Sequence, residues 1–321
     1  MLTRFPSQFT LRAPAISQPA AHRSMKVTAV RCAILSLQPS LLARFVLRRA
    51  VQPSSFEAEN TMAFDTIDKT AKKLVLTVQD YSLFALRAFT NLYRPPIYWP
   101  EFLVQSDIIG FGSLSIVVLS GISTGGVLAL QSAATLSAFG ATAVTGQFVS
   151  LTMIRELGPV LTGVMVSGRN ASSMASELGS MVVTEQIDAM RALGVDPSRK
   201  LVTPRIFASV AMLFFLTIVA DACGIAGGGL VTVFMNHQNG TQYFSMAWEH
   251  LRYPDIVQGL VKPLFFGYIL GSIGCFYGLR TTGGTQGVGR STIQAVVTAS
   301  VLIIFVDFLI TQLLLTLLPP L

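Results

Sequence analysis

Five apolar runs along the chain are long enough to cross a membrane. Crossing about 30 Å of hydrocarbon takes roughly 20 residues of α-helix. The third and fifth runs exceed this length, so a tilt, a break or an interfacial end is expected there. The pattern predicts an all-α membrane protein with five transmembrane helices and its two termini on opposite sides. The runs are Ile108–Leu130, Phe148–Val166 or somewhat beyond, Ile206–Phe234, Ile256–Leu279 and Ile293–Leu318.

A shorter amphipathic segment precedes the first run. Between Lys69 and Leu92 apolar residues recur at helical spacing, and Arg94-Pro95-Pro96 follows as a stop signal. This pattern predicts an N-terminal helix that lies in the headgroups, within residues 62–100. The five-helix bundle then occupies residues 101–321.

Composition agrees with a membrane protein and excludes nucleic acid as a partner. Hydrophobic residues make up 51% of the chain and charged residues only 12%. The net charge is +7, but residues 1–61 hold eight of the 23 Lys and Arg and two of the 16 acids, a net of +6. The bundle itself is therefore almost neutral and has no basic surface for nucleic acid.

Residues 1–61 form a leader that is expected to be disordered and to add nothing to the fold. Its Arg, Ser and Pro content is typical of an organelle transit peptide. An upstream segment wrongly included in the coding sequence fits equally well, because Met62 opens directly into the helical pattern. On the first reading the protein is imported into an organelle, and on the second these residues are not part of the translated protein.

Lys and Arg in the connections predict the orientation. They are frequent before the first run, between the second and third (Arg191, Arg199, Lys200, Arg205) and between the fourth and fifth (Arg280, Arg290). We call this the basic side and expect it to face cytoplasm or stroma. The outer side carries the other connections and the C-terminus.

A charged island, Thr184–Pro197, interrupts the apolar pattern on the basic side. At helical spacing Ile187, Met190 and Leu193 fall on one stripe, opposite Glu185 and Asp188. Acids in the first turn, Arg191 in the last, and then Gly194 and Pro197 predict a short helix over 184–194. It is either a solvated connector or a knob that fits a groove on a partner.

Six charged residues lie within or beside the apolar segments and need partners or a polar cavity. Arg155 and Glu156 are adjacent, so they are expected to use different partners. Both structural ion pairs and a role in a polar cavity remain open. The six are Arg155, Glu156, Arg169, Glu177, Asp221 and Asp307.

Pro and Gly predict two features of the bundle. Gly158-Pro159 is expected to bend or break the second helix. Four pairs of glycines at four-residue spacing predict close helix contacts, within the chain or in a homodimer. These pairs are Gly121/Gly125, Gly224/Gly228, Gly267/Gly271 and Gly274/Gly278.

The chain has little that could support catalysis. Gly284–Ser291 has P-loop spacing, but Arg290 replaces the lysine and an apolar run follows, so a glycine-rich turn is predicted. The three histidines and three cysteines form neither HExxH nor CxxC. No metal site and no enzymatic activity of this chain are predicted.

Two blocks of sequence resemble a known family. Arg155–Pro197, RELGPVLTGVMVSGRNASSMASELGSMVVTEQIDAMRALGVDP, closely resembles the signature region of the MlaE/YrbE permeases. That family includes the permease of the plant chloroplast trigalactosyldiacylglycerol lipid importer. Thr281–Thr311 looks like the family's last cytoplasmic loop and final span. The resemblance extends over about Asp65–Leu318.

The resemblance implies an MlaE-like permease domain and the membrane subunit of an ABC-type phospholipid transporter. Its implied partners are a second copy of the chain, an ABC ATPase subunit and an MCE-type lipid-binding protein. ATP and Mg²⁺ would be used by the ATPase, and this chain would bind no cofactor.

The resemblance also implies roles for particular residues. The family's coupling helix matches Glu185–Leu193, which points to Glu185, Gln186, Ile187, Asp188, Met190, Arg191 and Leu193. The region near the lipid path matches Arg155–Pro159. The lipid-path candidates are therefore Arg155, Glu156 and Pro159, together with Arg169 as a further charge in the same segment. The alternative function is a secondary transporter in which buried acids such as Asp221 and Asp307 bind protons or cations.

Overall fold

The computed structural model describes residues 72, 75–91 and 98–317. The predicted leader over 1–61 lies outside these residues, as does part of the N-terminal segment 62–100. Every regular element within the described ranges is a helix.

Five helices are long and apolar enough to span a membrane, which confirms the predicted class of fold. The second is a chain of shorter elements: a 3₁₀ turn Thr142–Val144, helices Thr145–Thr152, Gly158–Val166 and Ser172–Val183, and π-helical turns Met153–Leu157 and Ser167–Ala171. The third begins with a π-helical turn, Ser198–Val202, and continues as Thr203–Phe234. The spans are Trp99–Ser137, Thr142–Val183, Ser198–Phe234, Tyr253–Leu279 and Gly284–Leu317.

Each span is longer than its apolar run, and two predictions about the connections are wrong for that reason. Arg199, Lys200 and Arg205 are not in a loop, because the third span already begins at Ser198, and Arg205 is buried within it. Gly284–Ser291 is not a turn either, since these residues form the first two turns of the fifth span. The actual turn ends at Gly283, which has a positive φ of 88°.

The fourth span is central and contacts the second, third and fifth. Its buried side chains Phe266, Leu270 and Ile273 form part of the hydrophobic core. Glycines on the same helix allow close approach: Gly267 packs on the backbone of Ser209 and Val210, and Gly274 packs on Ala171 and Met174.

The first span packs along the third through the predicted glycines. A Cβ atom on Gly125 would lie 1.9 Å from the carbonyl oxygen of Gly224, and one on Gly121 would lie 2.9 Å from that of Ala220. All four glycine pairs thus make contacts inside one chain. Their small size allows backbones to touch where a larger residue would hold them apart.

The N-terminal helix, residues 75–91, packs against the basic-side half of the fourth span. Tyr81 Oη lies 2.8 Å from Ser272 Oγ, and Tyr268 Oη donates to the carbonyl of Ala85 at 2.5 Å. On the outer side a ten-residue helix, Gly240–Glu249, packs against the third span, where Tyr243 donates to the carbonyl of Ile225.

Candidate functional site

A fully buried lysine lies in the outer half of the bundle. Lys262, on the fourth span, has a side chain that is 0% exposed. Its Nζ lies 2.5 Å from Glu156 Oε2 and 3.0 Å from Asp307 Oδ1, and it donates to the carbonyl of Arg155 at 2.9 Å. Three oxygens from two other spans therefore surround one ammonium group, which accounts for its burial without solvent.

A second ion pair lies beside the lysine. The guanidinium of Arg155 donates through Nε and Nη2 to Asp255 Oδ1, near the outer end of the fourth span. Asp255 Oδ2 also accepts from the backbone N–H of Arg252, which caps that helix. Arg155 and Glu156 thus use different partners, as predicted. We call Arg155, Glu156, Asp255, Lys262 and Asp307 the charged cluster.

Local sequence explains why the backbone of Arg155 is available to Lys262. In an α-helix the carbonyl of Arg155 would accept from the N–H of residue 159, but Pro159 has none. The chain widens into the π-helical turn Met153–Leu157 just before this proline. The irregularity predicted at Gly158-Pro159 is therefore present as a π-helical turn just before it, and the helix continues on both sides.

A glycine brings the two helices into contact at this turn. A Cβ atom on Gly259 would lie 2.2 Å from the carbonyl oxygen of Ile154. Because Gly259 and Lys262 are three residues apart, they lie on the same side of the fourth span. Close backbone contact at Gly259 thus places the lysine side chain against Arg155 and Glu156.

Part of the charged cluster reaches the surface of the chain within the spans. The side chains of Arg155 and Glu156 are 34% and 38% exposed, whereas those of Lys262 and Asp255 are buried. At 1.5 Å per residue, Lys262 and Asp307 lie about 15 Å from the outer ends of their helices. Glu156 contacts Lys262 at this depth and is partly exposed, which is typical of a charge that faces a polar cavity.

The remaining charged candidates lie apart from the cluster. Arg169 is exposed, and its guanidinium packs against Gly112 of the first span. It is 14 residues beyond Arg155, about 21 Å along the helix, so the structure does not bring all four lipid-path candidates together. Glu177 accepts from Arg205 at 3.0 Å and joins the second and third spans near the basic side.

Asp221 faces the second span at Gly158. Its side chain is buried, and its Oδ1 has no hydrogen-bond partner among the described residues. A Cβ atom on Gly158 would lie 1.7 Å from this oxygen, so only glycine fits here. The two predicted acids therefore differ, because Asp307 has a cation beside it and Asp221 has none among the described residues.

Sequence reasoning missed Lys262 and Asp255. Lys262 lies inside the run Ile256–Leu279, whose average hydropathy hides a single charge. The sequence did contain a signal for Lys262, because a lysine within an apolar run needs acidic partners inside the bundle. Asp255 was assigned to the outer connection and has no such signal.

The charged island on the basic side forms a short helix, Gln186–Ala192. Glu185 precedes it in the left-handed conformation, with φ of 61°, and turns the chain out of the second span. Glu185 is therefore not in the first helical turn. Asp188 and Arg191 form an exposed ion pair at 2.8 Å.

The apolar stripe of the short helix is divided between the bundle and the surface. Ile187 is buried, Met190 is half-buried, and Leu193 is 81% exposed just after the helix. Ile187 therefore anchors the short helix to its own chain and is not part of the surface that a partner could contact. The surface left for a partner comprises Leu193, part of Met190, and the charged or polar side chains of Glu185, Gln186, Asp188 and Arg191.

Comparisons with known proteins agree with these features. The family model described as Permease MlaE matches residues 102–313. A "Probable ABC transporter permease protein" of Rickettsia bellii is 39% identical over 249 residues, which cover 78% of this chain and 96% of that protein.

Two further relatives have more specific names. The "Intermembrane phospholipid transport system permease protein MlaE" of Haemophilus influenzae is 34% identical over 67% of this chain and 82% of its own. "Protein TRIGALACTOSYLDIACYLGLYCEROL 1, chloroplastic" of Arabidopsis thaliana is 35% identical over 72% of this chain and 66% of its own.

Proposed function

The chain belongs to the MlaE family of ABC transporter permeases, and we propose that it is the membrane subunit of an ATP-driven phospholipid transporter. Its partners would be an ABC ATPase subunit, a second copy of the chain and an MCE-type lipid-binding protein. The printed name of the Haemophilus influenzae relative supports phospholipid as the transported substrate. The membrane would be the bacterial inner membrane, or the chloroplast inner envelope if residues 1–61 are a transit peptide.

The charged cluster is the observation that carries the lipid-path part of this proposal. A phospholipid that passes through the bundle must bring its headgroup past apolar helices, which is costly without polar groups along the way. Glu156, beside the deep Lys262, and Arg155, nearer the outer end of the fourth span, expose charges of opposite sign along one side of the bundle. Arg155 can interact with the lipid phosphate and Glu156 with a headgroup amine.

The short helix on the basic side supports coupling to a separate ATPase. It projects an exposed leucine beside an exposed Asp188–Arg191 pair, which is the composition of a small docking surface with an apolar centre and a charged rim. Ile187 is buried and the short helix packs on the last part of the second span, so a push on Leu193 would be transmitted to that span. ATP and Mg²⁺ would be bound by the ATPase subunit.

Replacing Leu193 tests the coupling. Leu193→Glu places a charge in the apolar centre of the surface, and association with the ATPase subunit should weaken about thirty-fold, the effect of losing a 2 kcal/mol hot spot. ATP-dependent transfer of fluorescent phospholipid in proteoliposomes should fall with it. Thr282→Glu is the matched control, since it adds the same charge to an exposed residue of the other basic-side loop. Equal affinity in both variants would remove the coupling role.

Asp221 supports a second candidate function, which is secondary transport coupled to protons or cations. Its buried carboxyl has no hydrogen-bond partner among the described residues, which is a feature of proton or cation sites in secondary transporters. On the ABC proposal, Asp221→Asn should transport lipid normally with the ATPase, and the chain alone should transport none. Transport driven by a pH gradient without ATPase, and lost in Asp221→Asn, would favour the secondary transporter.

A further inference from the structure

A polar pocket of about 260 Å³ lies on the basic side, away from the charged cluster. It lies between the N-terminal helix and the basic-side ends of the third and fourth spans. Its polar lining comprises Asp80, Arg87, Asn91, Ser198 and Arg280, and Phe276 forms part of its apolar wall. We call it the basic-side pocket.

The walls of this pocket are held in place by specific contacts. The two tyrosine hydrogen bonds that join the N-terminal helix to the fourth span lie on either side of Phe84. The Phe84 ring packs edge to face on Phe276, with centroids 5.7 Å apart. A pocket with fixed walls orders few groups when a ligand binds, which favours affinity.

The charges lining the pocket leave an excess of one positive charge. Arg280 donates to Asp80 at 2.9 Å, and its guanidinium lies over the Phe276 ring, 4.5 Å from the centroid. Arg87 forms no ion pair with any of the described residues. Two guanidinium groups thus face one carboxylate, and most donors of Arg87 are available for an anion.

The pocket lies at the level expected for lipid headgroups. Arg280 directly follows the end of the fourth span, and Ser198 begins the third. Along the fourth span Arg280 is 18 residues from Lys262, about 27 Å, so the pocket is separate from the charged cluster. Leu83 lines the pocket and is 45% exposed, which connects the polar lining with the lipid-facing surface of the N-terminal helix.

We infer that the basic-side pocket binds the phosphodiester headgroup of an anionic phospholipid from the basic-side leaflet, with Arg87 and Arg280 as phosphate ligands. A singly charged phosphodiester matches the excess charge, and guanidinium groups bind phosphate oxygens with paired donors. The acyl chains would follow Leu83 into the bilayer. Basic pockets between helices on the cytoplasmic side are typical of such lipid sites. This lipid is distinct from the one transported past Arg155.

Native mass spectrometry of the full chain in detergent tests the inference, with dioleoylphosphatidylglycerol as the probe. The chain should retain one lipid more tightly than the others. Arg87→Gln should weaken its retention about five-fold, which corresponds to one arginine near the membrane surface. Asp80→Asn should strengthen retention, because it frees Arg280. Misfolding of this variant could not explain tighter retention of the lipid.

Matched controls separate this site from general attraction between charges. Arg290→Gln removes another exposed basic-side arginine outside the pocket and should leave retention unchanged. Equal losses in Arg87→Gln and Arg290→Gln would overturn the proposal. Inorganic phosphate and glycerophosphoglycerol should compete only weakly, since they have no acyl chains. Their full competition with the lipid would show a site for soluble phosphate and would also overturn it.

Discussion

The buried ammonium of Lys262 is stabilised by two carboxylates and one backbone carbonyl. An isolated ammonium in a dry interior is costly, and its attraction to carboxylates offsets that cost only when the geometry satisfies its donors. Here the ammonium donates hydrogen bonds to Glu156 and to the carbonyl of Arg155, and Asp307 lies 3.0 Å away as a second counter-charge. The same arrangement makes the cluster sensitive to the loss of any one member.

Replacing the lysine alone should be strongly destabilising. Lys262→Met fills similar volume but leaves Glu156 and Asp307 close together without a cation. Breaking a buried pair in this way costs about 3–5 kcal/mol. The free energy of unfolding in mixed micelles, measured by titration with sodium dodecyl sulfate, should fall by this amount.

The triple variant Lys262→Met, Glu156→Gln, Asp307→Asn provides the control. It removes the uncompensated charges together with the lysine, so most of the lost stability should return. If Lys262→Met were as stable as the natural chain, the ammonium could not be the group that holds these spans together.

Arg155 and Glu156 show how much of an ion-pair network the sequence can predict. Their need for two different partners follows from helical geometry. The partners themselves are 100 and 106 residues away on the fourth span. Which charge meets which depends on the register of that helix, set by the contact of Gly259 with Ile154, and no local pattern encodes this register.

At the scale of the element, hydropathy predicted the number of spanning helices but not their lengths. The second apolar run is predicted to end at Val166 or somewhat beyond, whereas the helix continues to Val183, 17 residues past Val166. Residues 167–180 are rich in Ser, Gly and Ala, which lowers their hydropathy. Their buried members, such as Ala171 and Ala175, pack against the fourth span, and a sequence average does not measure this packing.

The contact between the first and third spans should be sensitive to a single methyl group. Gly125→Ala places a Cβ atom 1.9 Å from the carbonyl oxygen of Gly224, and backbone cannot rotate out of the way as a side chain can. The two helices must separate, at a cost of about 1–3 kcal/mol for overpacking. The same unfolding titration measures this loss.

Gly289→Ala is the matched control for that substitution. Gly289 is also helical, but a Cβ atom there would meet nothing within 4 Å. The higher helix propensity of alanine should then stabilise the chain by up to about 1 kcal/mol. Equal effects of the two substitutions would mean that the first and third spans are not in backbone contact.

At the scale of the whole molecule, the proposals require one orientation in the membrane. The short helix, the turn before Gly284 and the basic-side pocket all lie at the same end of the bundle, because Gly179 contacts Thr281 and the N-terminal helix contacts Phe276. The charged cluster lies toward the other end. Lys and Arg in the connections predict that the first end faces cytoplasm or stroma.

Cysteine labelling would measure this orientation directly. In a variant whose natural cysteines are replaced by alanine, Ala192→Cys and Thr282→Cys should react with an impermeant maleimide only in inside-out membrane vesicles. Ala138→Cys, exposed beyond the end of the first span, should react only in right-side-out vesicles. Labelling of Ala192→Cys from the outer side would place Leu193 beyond the reach of a cytoplasmic or stromal ATPase. The coupling proposal would then fail. The lipid-path proposal would need a separate test, because turning the whole chain over in the membrane does not change how far Arg155 lies from the nearer membrane surface.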